Sequence, residues 1–462
     1  VTLNMLDMIG VGPFITLPLI LAAMGGPQAM LGWVLGACIA VCDGLVWAEL
    51  GAALPEAGGT YHFLRSIYPG KTGRFLAFLF IFQLTFSGPL SMASGCIGLG
   101  SYATYLFPWL KGHTVVRVLH VGAYSAGVSA GPATLVAIGA LVLAVALLYR
   151  NIANVRVISA TMWAAVMGLV GWILFTGVVH GHLRTAFDFP AGAFTLTPGF
   201  FLGLGSAMLI ATYDFWGYYN ITFLGGEVKD PARTVPRAIL ISIALVGAIY
   251  LAMNVSVLAV LPWRPLLGRQ SADAQRAVVS LFMETAYGPA WGPALGKVAA
   301  ALVMLTAFAS VFSLLLGYSR IPYAAARDGN YFRAFGRLHR KGFPHVSLLA
   351  LGGMAAVFCF FSLADVIAGL VVLRILLQFL VQHVGVMYLR KTRPGLRRPF
   401  RIWWYPVPPL VAICGFTYIL VERPHFQREL LPAGVVILLG TAVYFLRDRL
   451  MGKGDEGWIR EL

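Results

Sequence analysis

Apolar residues fill long blocks of this chain, most of them near the ~20 residues a helix needs to cross a bilayer, and short polar or basic connections part them. Twelve blocks are expected as spans, near 3–24, 29–54, 75–107, 132–149, 157–179, 198–224, 236–261, 290–325, 346–362, 365–389, 405–421 and 430–446. Two of them do not read as plain helices. The first carries Ile9-Gly10-Val11-Gly12-Pro13-Phe14 in its middle. Glycine weakens a helix, and proline removes a backbone donor while crowding the turn before it. Amides and carbonyls freed there must be satisfied by protein, water or a solute, because hydrocarbon offers no partner. Taken alone, the stretch fits either a proline kink used for packing or a helix unwound to present backbone groups. The sixth block carries a second interruption, Tyr213-Asp214-Phe215-Trp216-Gly217-Tyr218-Tyr219-Asn220. Interrupted spans at matching positions of two halves point to a transport site. The expected frame is a first repeat of five spans over 1–180, a second over 198–390, two further spans over 405–446 and a tail over 447–462.

Composition narrows the class. The chain has 462 residues, 59% of them hydrophobic and only 11% charged, with a mean hydropathy of +0.80. A soluble surface cannot be built from that, so the fold class is an all-α polytopic membrane protein with the lipid bilayer as its surroundings. The net charge of +16 would suit nucleic acid if it formed one patch. Instead it gathers in alternate connections, among them Arg333, Arg337, Arg340, Lys341 and the run Arg390, Lys391, Arg393, Arg397, Arg398, Arg401. The positive-inside rule then places both termini in the cytoplasm of a multi-pass cell-membrane protein, with no nucleic acid as partner.

Cys38, Cys42, Cys96, Cys359 and Cys414 all fall within expected spans. No disulfide framework and no metal-ligand spacing is implied, and Cys38 and Cys42 read as small packing residues. There is no cleavable signal pattern. Because the chain opens at Val1 with almost no polar lead-in, the natural amino terminus is expected to begin upstream.

Polar residues inside spans carry the candidate chemistry. Asp43 lies in mid-membrane, and Glu49 near the inner face is either a gate carboxylate or a solvated helix end. His62 to Arg74 reads as a short amphipathic helix at the interface. Ser87-Gly88-Pro89 reads as a kink, and the loop from Pro108 to Gly131 as an external connection whose histidines are solvated. Pro236 suits the first turn of span seven. Arg374, Gln378, Gln382 and His383 form a polar stripe that should face protein or water rather than lipid.

Four motifs in order carry a family likeness: Gly10-Val11-Gly12, then Ala48-Glu49-Leu50-Gly51 with Gly58-Gly59-Thr60-Tyr61, then Gly226-Glu227-Val228 with Pro231, then Ser319-Arg320 with Arg327-Asp328-Gly329. Across nearly the whole chain the sequence resembles the amino acid–polyamine–organocation superfamily, near its L-type amino acid transporter branch. That resemblance implies the leucine-transporter fold, two inverted repeats of five spans with two peripheral ones. It also implies that Val11, Gly12 and Pro13 frame a substrate carboxylate, that Ile9 and Tyr213 offer carbonyls to its amino group, and that Tyr213 serves as an aromatic gate. Gly10, Phe14, Phe215, Trp216 and Gly217 complete the implied substrate site, with Glu49, Glu227, Asp43 and Arg374 as gate or coupling candidates. The sequence departs from the pattern twice. Span five holds Thr161-Met162-Trp163-Ala164-Ala165 and no lysine, so lysine-based proton coupling does not transfer. The second break holds Asp214 and Trp216, and Asp214 is expected to cap a broken helix or pair with Arg374, or else to hold a cationic substrate.

The expected function is secondary active transport of amino acids by alternating access, by proton symport or exchange. A polyamine or cationic amino acid carrier is the runner-up, favoured by Asp7, Asp43 and Asp214; a transport-inactive sensor or membrane subunit is the reading from another class. An enzyme is not expected, since no nucleophile–histidine pairing, metal spacing or phosphate loop appears. No cofactor is expected either.

Overall fold

The computed structural model describes residues 1–10, 12–112, 115–121, 124–150, 155–267, 277–422 and 426–450. Among these residues seven helices are long and apolar enough to cross a membrane, or eight if a bent pair near the amino terminus is taken as one span. Shorter apolar helices lie at His345–Phe358, Val407–Val421 and Leu430–Leu446. With the interrupted sixth segment, each of the twelve expected blocks holds helix. The chain is therefore a polytopic helical protein.

The first span is interrupted at its glycines rather than kinked as one continuous helix. It runs as Thr2–Met8, resumes at Gly12–Ile15 and continues as Leu17–Met24. Leu17–Met24 bends 57° from the part of the span before it. The sixth span starts cleanly: Pro198 fills the first turn, and the Thr197 hydroxyl accepts from the Phe200 amide at 3.2 Å. Its helix holds to Phe215, two residues past the Tyr213 where the interruption was expected, and resumes at Asn220–Phe223. Trp216 has extended backbone angles and Gly217 has a φ of 128°, a conformation that glycine tolerates. The break thus sits at Trp216–Tyr219.

Small residues bring the second and sixth spans together. A Cβ on Gly32 would stand 2.8 Å from that of Ala207, so the two backbones approach closely. The second span also packs on the seventh and eleventh, while the third packs on the eighth and tenth. Pro89 lies inside the third helix, which runs from Gly70 to Leu106. Three details differ from the sequence reading. The interfacial helix is Thr60–Ile67, because Pro69 ends it and the third span already begins at Gly70. Pro231, rather than Pro236, occupies the first turn of the seventh span. The connection after the third span contains an antiparallel hairpin of Val115–Val121 with Tyr124–Ala130, where no strand was expected.

Candidate functional site

The two breaks wall one cavity. Gly10 and Gly12 of the first span face Tyr213, Asp214, Trp216 and Gly217 of the sixth, with Asp7, Ser91, Ser94, Tyr318 and Arg374 among the other residues of the wall. Its volume is about 40 Å³, room for a few waters at the ~10–15 Å³ each requires. Of the other residues expected to contact substrate, Ile9, Phe14 and Phe215 are wholly buried and stand behind this wall. The Phe14 carbonyl accepts from the Tyr102 hydroxyl at 2.7 Å, and Phe215 packs edge-on against Trp33. Pro13 is likewise buried behind it. Val11 and the side chain of Glu227 lie outside the described residues.

Arg374 dominates the chemistry. It is 2% exposed and lies over the rings of Tyr318 and Trp216, 5.2 and 5.5 Å from their centres. It donates to the Ser91 hydroxyl at 2.8 Å and the Tyr219 hydroxyl at 3.0 Å. Its Nε has no hydrogen-bond partner among the described residues. The chain makes a π-helical turn directly after it, Ile375–Phe379, a backbone irregularity frequent at functional sites.

The expected pairing of Arg374 with Asp214 is not made. Asp214 instead accepts from the Thr16 hydroxyl at 2.6 Å, tying the sixth span to the first. Its carboxylate is so close to Gly12 that a Cβ there would stand 2.0 Å from Oδ1. Helix geometry explains the difference: Asp214 is still within the last helical turn before the break, which aims it at the first span. The Tyr213 carbonyl is engaged by the Trp216 amide at 3.2 Å, and its hydroxyl meets that of Ser94 at 2.7 Å. One oxygen each of Asp7 and Asp214 is buried without a partner. Desolvated polar atoms of this kind are costly, so unmatched ones lining a cavity point to a polar ligand or water.

Glu49 is not a solvated end. It is 1% exposed, forms a two-pronged pair with Arg390, lies 3.3 Å from Arg398, and accepts from the Ile402 amide at 2.8 Å. Asp43 is buried beside Tyr218 and His383, away from the cavity wall. The sequence reading passed over Ser91, Ser94 and Tyr318, and only the serine-glycine-proline run nearby hinted at the first two.

Comparison with known proteins agrees with this architecture. The family model for amino acid permeases matches residues 2–430. The branched-chain amino acid permease BcaP of Bacillus subtilis is 26% identical over 438 residues, covering 94% of this chain and 88% of that protein. The serine/threonine exchanger SteT of the same organism is 23% identical, covering 96% and 93%. The Asc-type amino acid transporter 1 of Mus musculus is 26% identical, covering 95% and 78%. With a family match over nearly its full length, this chain belongs to the amino acid permeases.

Proposed function

We propose that the protein is a secondary transporter of amino acids, working by alternating access in the cell membrane with both termini in the cytoplasm. The arrangement proposed for it is the leucine-transporter fold, with repeats over 1–180 and 198–390. The observation that supports this best is the buried cavity between two broken helices, which carries both signs of charge. A zwitterion needs both. Arg374 suits the carboxylate, since its free Nε and planar fork favour that geometry. Asp7, with one unpartnered oxygen on the same cavity, suits the ammonium. This polarity differs from the one the family resemblance implied. The face of Gly12 is already occupied by the Asp214 carboxyl group, which leaves no room there for a substrate carboxylate.

A polyamine fits less well, because a buried guanidinium on the same wall opposes an all-cationic ligand. The tight cavity also favours a small, neutral side chain over an extended amine. The test is a radiolabelled uptake panel in proteoliposomes, with and without a pH gradient, spanning neutral and cationic amino acids and polyamines. Uptake of small neutral amino acids is expected. Polyamine uptake alone would promote the runner-up, and binding without flux would favour a sensor or a membrane subunit.

A further inference from the structure

On the side of the second break away from the substrate cavity lies another buried polar cluster, made by Asp43, Tyr218 and His383. Asp43 and His383 are both fully buried. The Tyr218 hydroxyl donates to Asp43 Oδ2. His383 Nδ1 stands 2.6 Å from the Phe379 carbonyl oxygen. A carbonyl only accepts, so Nδ1 must carry a hydrogen. His383 Nε2 then faces Asp43 Oδ1 at 3.2 Å, and among the described residues neither atom has another hydrogen-bond partner of good geometry, although the Trp47 indole lies near the carboxyl group. A neutral ring protonated at Nδ1 presents a lone pair at Nε2, and an ionised carboxylate presents only lone pairs. Two bare acceptors would repel at this distance, so a proton stands between them, on the oxygen or on the ring.

We propose that the Asp43–His383 pair is the proton-binding site that couples proton movement to substrate transport. The inference rests on the transporter reading above. The mechanical link is short. Tyr218, which holds the other oxygen of Asp43, follows Gly217 on the substrate cavity, and its carbonyl accepts from Asn4 of the first span at 2.5 Å. Loss of one proton leaves a net negative charge between two acceptors in a dry site, a state costly enough to favour a rearranged break. The proton leaves to water when the site opens to one side and is replaced from the other. Cys42 and Trp47 flank Asp43 on its own helix, and Tyr218 comes from the sixth span. The eleventh brings the Phe416 ring to 5.8 Å from His383, and Ile239 and Ile243 of the seventh lie beside Gly44. The nearest ion pair along the second span is Glu49 with Arg390.

The full-length protein in proteoliposomes with an entrapped pH dye tests this. Each unit of pH gradient is worth 1.36 kcal/mol per proton, so one-to-one symport should raise accumulation about tenfold per unit. Asp43→Asn, a neutral mimic of the protonated acid, should abolish both that response and the acidification of the lumen. Substrate exchange between equal pools should survive. His383→Gln should lose the gradient response as well. A wild-type response in Asp43→Asn, or substrate uptake by the parent protein without proton flux, would overturn the proposal. If no substrate is found, the transporter reading fails separately. An infrared pH titration of the detergent-solubilised protein then reads the site directly: a carboxyl or imidazole change that disappears in Asp43→Asn is expected, and its absence from the parent between about pH 5 and 9, bracketing ordinary imidazole titration, would refute the site.

Discussion

Gly12 and Asp214 are the residues on which the site turns. A Cβ at position 12 would enter the Asp214 carboxylate, so any side chain there must displace Asp214 from its place between the two broken spans. Gly12→Leu is expected to fold and insert but to lose substrate affinity at least about tenfold, or 1.4 kcal/mol; scintillation-proximity binding on purified protein measures it, and unchanged affinity would show that substrate docks elsewhere. Asp214 accepts from the Thr16 hydroxyl rather than pairing with Arg374. Asp214→Asn should therefore lower folding yield and leave selectivity in place. A clean loss of cationic substrates at normal expression would instead make Asp214 a substrate ligand. The exceptional nature of both residues was legible in the sequence, since a glycine and a buried acid are out of place in a span. Their contact was not, because it joins positions about two hundred apart and depends on where each helix stops.

The elements were legible to differing degrees, and the reason lies in the strength of each local signal. Long apolar blocks have one solution in a bilayer, so the helices fell where expected. The second break was placed early because Asp214 and Gly217 both suggest interruption, and only the backbone decides that the helix survives to Phe215. The hairpin left an uneven signal: Val115, Val116, Val118 and Val121 give its first strand a strong β-branched content, but its second strand, Tyr124–Ala130, is made mostly of small residues. The partners of Glu49 were hidden for another reason: Arg390 and Arg398 lie in a basic run that topology alone accounts for. This carboxylate fastens the second span to the end of the tenth and to the Ile402 amide. Removing one partner from a buried pair leaves the other uncompensated, which costs about 3–5 kcal/mol. Glu49→Ala should lower the thermal midpoint in detergent by that equivalent, with Glu49→Gln intermediate. A midpoint matching the parent would mean that the arginines find water instead.

At the scale of the whole molecule, alternating access requires contacts that hold one side shut and can be released. On the side proposed to face the cytoplasm, Arg65 of the interfacial helix lies 2.5 Å from Asp328, just beyond the helix that follows the eighth span. The Tyr61 hydroxyl donates to the same carboxylate at 3.1 Å. Nearby, the Gly58 amide donates to the Phe223 carbonyl at 3.3 Å, so the connection after the second span also grips the end of the broken sixth. These contacts join the proposed first repeat to the second. The ion pair is half open to solvent, with side-chain exposures of 29% and 43%. That exposure decides its weight. Such a pair contributes about 0.2–1 kcal/mol, weakened further by salt, against the 3–5 kcal/mol of a buried one. It can therefore bias an equilibrium without locking it, as a step in a cycle must. Asp328→Asn is expected to shift the population toward opening on this side by about fivefold at most, the equivalent of 1 kcal/mol. Hydrogen exchange reads this as loss of protection confined to Thr60–Ile67 and Arg320–Arg327, and the charge-reversed pair Arg65→Asp with Asp328→Arg should restore it. Uniform deprotection across the spans would mean that the contact serves global stability, and unchanged exchange that it carries no part of the gate.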